Sequence, residues 1–329
     1  MNYQLKYLKF LSTFLLSFSL FFTGFYPDYR ASAGEIKTEN KQTKSNKVGK
    51  FILQYQPSSS NYYEFGEISA KFSNQEIRQK LIETQVFDQI ITELNTSGLI
   101  MREDIPVVFQ ECGNANAYWS PSERQITVCY ENTALDLILF NNLVKYPSEQ
   151  AWRKSINETV VAFYHELGHA LIDVLSLSAV GQEEDTVDEF AVVMLFRKYN
   201  PSIAAEMVLD SSEYYELLYK IGGRGPGWDE HAPNDKRLFN LVCLVYGSNP
   251  EEYEKIFIEK FVLVDPNQTV NQDKLNSRAA KCKREFPQKM DSWNKLLLPH
   301  YASQNGDQKT PVQSSPGNSP GVSRRGRYW

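Results

Sequence analysis

The chain is poor in the residues that handle protons and soft metals near neutral pH. It has four histidines and four cysteines in 329 residues. Four scattered cysteines are too few to staple a small disulfide scaffold, and their spacing is not that of a zinc ribbon. Positive charge is not in excess either: 35 Lys and Arg stand against 40 Asp and Glu, for a formal charge of −5. An acidic chain without a basic stripe argues against nucleic acid as a partner. No internal repeat is visible. Past residue 25 no apolar run approaches the roughly 20 residues that a membrane-spanning helix needs.

The amino terminus is the exception to this polar character. Lys6 and Lys9 precede an apolar stretch from Phe10 to Phe25, and Ala31-Ser32-Ala33 supplies the small-x-small pattern of a signal-peptidase site. Residues 1–33 are therefore expected to be a secretory signal, with an uncleaved anchor as the alternative. After cleavage no stable membrane insertion is expected, and the protein would be secreted or periplasmic. The removed segment holds three cations (Lys6, Lys9, Arg30) and one anion (Asp28), so the remainder carries −7. In an oxidising compartment the economical cysteine pairing is Cys112–Cys129 and Cys243–Cys282, one of the three connectivities that four cysteines allow.

Residues 34–49 are almost wholly polar and read as a flexible lead-in, and 303–329 as a disordered Ser, Pro, Gly and Gln tail. Between them, residues 50–302 suffice for one folded domain. Strand signals lie at Phe51–Tyr55, Ile105–Phe109 and Arg124–Tyr130. The turn residues Ser120-Pro121-Ser122 suggest that the last two are antiparallel neighbours, which would bring Cys112 near Cys129. Helices are expected over Gln75–Leu94 and from about Asn132. From Ser155 onward helical periodicity dominates: Val160, Phe163, Leu167, Leu171 and Val174 form one buried stripe, and Val187, Phe190, Ala191, Met194 and Leu195 a second. A Gly- and Pro-rich loop, Gly222–Pro233, precedes helices at Leu238–Tyr246, Pro250–Leu263 and Ser277–Leu298. The fold class is α+β, a small mixed sheet followed by a mainly helical part.

Two of the four histidines fall in one pentapeptide, His165-Glu166-Leu167-Gly168-His169. Residues four apart share a helix face, so the two imidazoles can bind a single zinc ion. Glu166 sits where it can take the proton of a metal-activated water. Gly168 leaves room for another backbone to come close. Such a pentapeptide also arises by chance on amphipathic helices, but here it gathers half the histidines of the chain.

Catalytic zinc needs a third protein ligand and an open position. The acidic run Glu183-Glu184-Asp185-Thr186-Val187-Asp188 follows after a stretch long enough for a second helix to fold back. Glu184 is the favoured ligand, with Glu183, Asp185, Asp188 and Asp173 as alternatives. Asp188, one turn beyond Glu184, can orient a ligating imidazole. Asp173 continues the histidine face and reads first as a similar orienting partner. The bland reading of the run is an ordinary acidic helix start.

These segments, with Asn116-Ala-Tyr-Trp119, Cys129-Tyr-Glu131, Trp228-Asp-Glu-His231, Arg237-Leu-Phe-Asn240 and Cys243-Leu-Val-Tyr-Gly247, resemble the DUF4344 metallopeptidase family over roughly 100 to 290. The pattern is also similar to that of gluzincins. The resemblance implies a zincin-like fold, one zinc ion held by His165, His169 and Glu184, and Glu166 as base. For the group that stabilises the oxyanion, His231 is the leading candidate; Tyr164, Arg224 and Tyr246 compete, and His300 is read as surface or core. The expected partner is a peptide or protein substrate. A non-catalytic secreted module that kept the metal for stability or interaction, and a cell-wall amidase using the same site, are the alternatives.

Overall fold

The computed structural model describes residues 48–223, 230–264 and 271–302. The expected signal, nearly all of the lead-in, the tail and Arg224 lie outside the described residues. Within them the chain is mixed α+β.

The first half builds two small sheets. β1 (Phe51–Tyr55), β4 (Ile105–Gln110), β5 (Ala117–Ser120) and β6 (Gln125–Cys129) form one in the order β1-β4-β6-β5, and β2 (Tyr62–Phe65) pairs with β3 (Ile68–Ser73) in a separate hairpin. β4 and β6 are almost continuously apolar and buried, as strands with a neighbour on each side require.

Three expectations are corrected here. β4 and β6 are parallel, not antiparallel. The chain reverses into β5 and reverses again through the turn ending at Arg124 (φ 54°), so β6 re-enters in the direction of β4. The turn residues are real, but they join β6 to β5, a strand of four residues too short to stand out. The helix expected over 75–94 is broken in two, α1 (Asn74–Thr84) and α2 (Val86–Thr96), because Gln85 adopts a left-handed conformation (φ 53°). The third correction concerns the helix expected from Ser155, which starts at Ser148.

α3 (Tyr130–Leu137) follows β6 directly and continues into a π-helical turn, Ile138–Leu143. The 27-residue α4 (Ser148–Val174) then packs against β5 and β6, with Val160, Phe163, Leu167 and Leu171 buried. α5 (Glu183–Lys198), α6 (Pro201–Gly222), α7 (Asn234–Ser248), α8 (Pro250–Val264) and α9 (Gln272–Leu297) complete the helical part. Proline opens α6 and α8, where a missing N–H is harmless. Both expected disulfides are formed. Cys112–Cys129 (Cα–Cα 5.5 Å) ties the exit of β4 to the end of β6, and Cys243–Cys282 (5.1 Å) ties α7 to α9.

Candidate metal centre

α4 and α5 meet closely because of one glycine. A Cβ on Gly168 would lie 2.9 Å from Cβ of Val187 and 3.0 Å from Cδ1 of Phe190, nearer than side chains tolerate. The space at Gly168 is therefore filled by side chains of α5 rather than by a backbone. The close approach sets the first turn of α5 over His165 and His169.

Glu184 bridges the two histidines. Its Oε2 is 3.1 Å from Nε2 of His165 and its Oε1 is 3.3 Å from Nε2 of His169. The opposite nitrogen of each ring has its own carboxylate: Nδ1 of His165 is 2.8 Å from Oδ1 of Asp188, and Nδ1 of His169 is 2.7 Å from Oε1 of Glu183. Carboxylates only accept, so each Nδ1 donates to its own carboxylate, and both Nε2 atoms turn to the two oxygens of Glu184. Asp188 thus has the orienting contact expected of it. Glu183 makes the same kind of contact with the second ring, and spacing along the helix does not separate such a partner from a ligand.

His231 joins this cluster from the segment before α7. Its Nε2 lies 3.0 Å from Oε2 of Glu184, and its ring stacks on that of His165 with centroids 5.9 Å apart. His165, Glu184 and His231 offer ligand atoms that all lie within 4.8 Å of one another. Glu166 is held from the sheet side. The backbone N–H of Trp119 on β5 donates to its Oε2 at 2.8 Å, and its Oε1 stands 4.0 Å from Nε2 of His165.

Arg237, on α7, completes the inner side and was not singled out as a site residue. It donates to both oxygens of Asp188, from Nε at 2.9 Å and from Nη2 at 2.6 Å, and its guanidinium lies 4.3 Å from the ring centre of Tyr215. In the relay Tyr215–Arg237–Asp188–His165 the two ends are buried and the central ion pair is partly so, and the distance along the chain hides it from a local reading.

The electrostatics follow from these partners. Burial alone would lower the His165 imidazole, but the hydrogen bonds to Asp188 and Glu184 raise it to about 9. His169 is raised in the same way by Glu184 and Glu183. Burial would lift Glu184, yet contacts with His165, His169 and His231 hold it far below the ordinary carboxylate range, and Arg237 and His165 do the same for Asp188. The centre therefore favours positive charge where the Nε2 atoms and the Glu184 oxygens converge. A nitrogen and carboxylate donor set of this kind fits zinc.

Other sequence candidates lie elsewhere. Asp173 turns away from the histidines. Its Oδ2 accepts from Trp119 Nε1 (3.0 Å) and Arg124 Nη1 (2.7 Å), which ties the end of α4 to the β5–β6 hairpin. Asp185 pairs with Lys236 at 2.6 Å. Tyr164 is buried against Phe163, and Tyr246 is stacked on Phe257 with centroids 4.3 Å apart, so both are core residues. The backbone carbonyl of His300 accepts from Ile100 N–H at 2.8 Å, a structural contact.

Fold and site together define a mixed α+β protein whose long central helix carries a buried histidine–carboxylate centre beside a small sheet. A family model matches residues 68–297, which include every residue of the centre. The chain belongs to that family, DUF4344, whose description reads "Putative metallopeptidase". Comparison with curated proteins and with solved structures found no match.

Proposed function

We propose that the chain is a secreted, zincin-like peptidase with one zinc ion, held by His165, His169 and Glu184, that hydrolyses peptide bonds with Glu166 as general base. One observation carries this reading: the two Glu184 oxygens lie 3.1 and 3.3 Å from the Nε2 atoms of the two histidines. Bound there, zinc would acidify a water and polarise the scissile carbonyl. Asp188 and Glu183 hold the rings so that both Nε2 atoms stay available. Glu166, pinned at one oxygen by Trp119, keeps the other toward the His165 side, where it takes a proton from the attacking water and passes it to the leaving amine. His231, whose side chain is 48 % exposed, would donate to the oxyanion.

The test is cleavage of a casein or peptide-library substrate by the wild type and by Glu166→Gln. The expected loss is about 10²–10⁴-fold with zinc retained. Bound zinc without Glu166-dependent cleavage would replace the enzyme by a secreted module that uses the metal for stability or interaction.

The tight grouping of His231 with His165 and Glu184 also admits His231 as a metal ligand. His231→Ala separates the two roles. Retained zinc with a reduced kcat marks the oxyanion role, and loss of zinc marks a ligand.

A further inference from the structure

A cavity of about 700 Å³ opens beside His165 and Glu166, and part of its wall is acidic in a way the proposed chemistry does not use. Glu158 lines it, two helical turns before His165 on α4 and on the same face. It is 4 % exposed, and its Oε2 has no hydrogen-bond partner. Asp136 on α3 is completely buried, and neither of its carboxyl oxygens has a partner. Buried polar atoms of this kind are rare, because leaving them unpaired costs about 1–3 kcal/mol each. Burial pushes Glu158 up to about 7 and Asp136 well above the carboxylate range, the latter helped by the neighbouring Glu158.

Asp136 lies behind this wall, and the surroundings specify what would satisfy Glu158. Tyr214 and Tyr215 line the same cavity and offer apolar faces to an aliphatic stem. Arg237 also borders it, but its charge is matched by two hydrogen bonds to Asp188. The Ser211 hydroxyl lies beside Glu158 on the same wall but is neutral; what this part of the wall lacks is a cation of its own, and an ammonium or guanidinium group brings several donors together with the opposite charge.

We propose that this cavity receives the cationic side chain, Lys or Arg, of a substrate residue next to the cleaved bond, and that Glu158 selects it. The substrate class rests on the peptidase reading, whereas the cation site itself does not. A bound cation supplies the missing donors and lets the acid ionise, so an empty neutral pocket becomes an ion pair when filled.

The experiment has two arms on the full-length zinc-loaded protein. The first profiles a peptide library with the wild type and Glu158→Gln, an isosteric change that keeps a polar side chain. The second measures argininamide binding to Glu166→Gln and to the double variant with Glu158→Gln. Expected are a wild-type preference for Lys or Arg at one position flanking the cut, a fall of at least tenfold in the ratio of kcat/KM for Arg over Leu in Glu158→Gln, and argininamide binding that the second substitution abolishes. Cleavage that is Glu166-dependent but indifferent to basic residues would overturn the inference and leave the peptidase standing. Argininamide binding that needs Glu158, in a protein that cleaves no peptide, would support the cation site and remove the peptidase. Absence of both cleavage and binding would overturn both.

Discussion

Two groups of carboxyls on neighbouring helices are driven in opposite directions. Glu184 and Asp188 on α5 are taken out of water, yet three imidazoles and a guanidinium hold them ionised. Glu158 and Asp136, on α4 and α3, lie deeper, at 4 % and 0 % exposure, and burial pushes them toward the neutral acid. Burial alone does not decide the charge of an acid; the donors around it do. On the proposed reading the paired group holds a resident cation. The unpaired group is suited to a cation that comes and goes.

Breaking the pairing of the first group should have the larger effect. Arg237→Leu leaves the Asp188 charge buried without its guanidinium, and removing one partner of a buried pair costs about 3–5 kcal/mol. It also frees the ring of His165, for which a loss of zinc affinity of about 10–100-fold is expected. Competition with a chelator and thermal denaturation check the two parts separately. Unchanged affinity would show that Asp188 needs no help from Arg237.

The second group gives a smaller effect with a defined pH signature. With Glu158 near 7 when folded and near 4.5 when unfolded, the folded protein binds more protons in that window, so stability falls as pH rises through it. Glu158→Gln removes this slope. The variant should gain on the order of 3 kcal/mol over the wild type at pH 8 and nothing below pH 4. Denaturant melts at the two pH values check the sign, and an equal effect at both would mean that Glu158 is not raised. The paired group runs the other way, since acids held low contribute above the ordinary carboxylate range and lose their contribution as pH falls.

What the sequence revealed about this contrast depended on distance along the chain. His165, Glu166 and His169 are legible because a helix turns a four-residue spacing into a shared face. Asp188 was legible through its spacing from Glu184. The strand direction was not, because the reversal through β5 rests on four polar-flanked residues and a left-handed Arg124. Arg237 and the Trp119 N–H reach the centre from 72 and 47 residues away in sequence. Asp173 shared the histidine face by spacing, but at the last turn of α4 its carboxylate reaches the indole of Trp119 and the guanidinium of Arg124 instead. Glu158 and Asp136 carry no local signal, because nothing in their own segments marks them as buried until α3 and α4 pack.

The central claim is that Glu184 closes a zinc site on the two helix-borne histidines. Elemental analysis of the purified wild type and of Glu184→Gln tests it most directly, because the amide keeps the shape and removes the charge. The account predicts one equivalent of zinc in the wild type and a site at least a hundredfold weaker in the variant. A wild type that binds no zinc, or a variant that holds it as tightly, would contradict it.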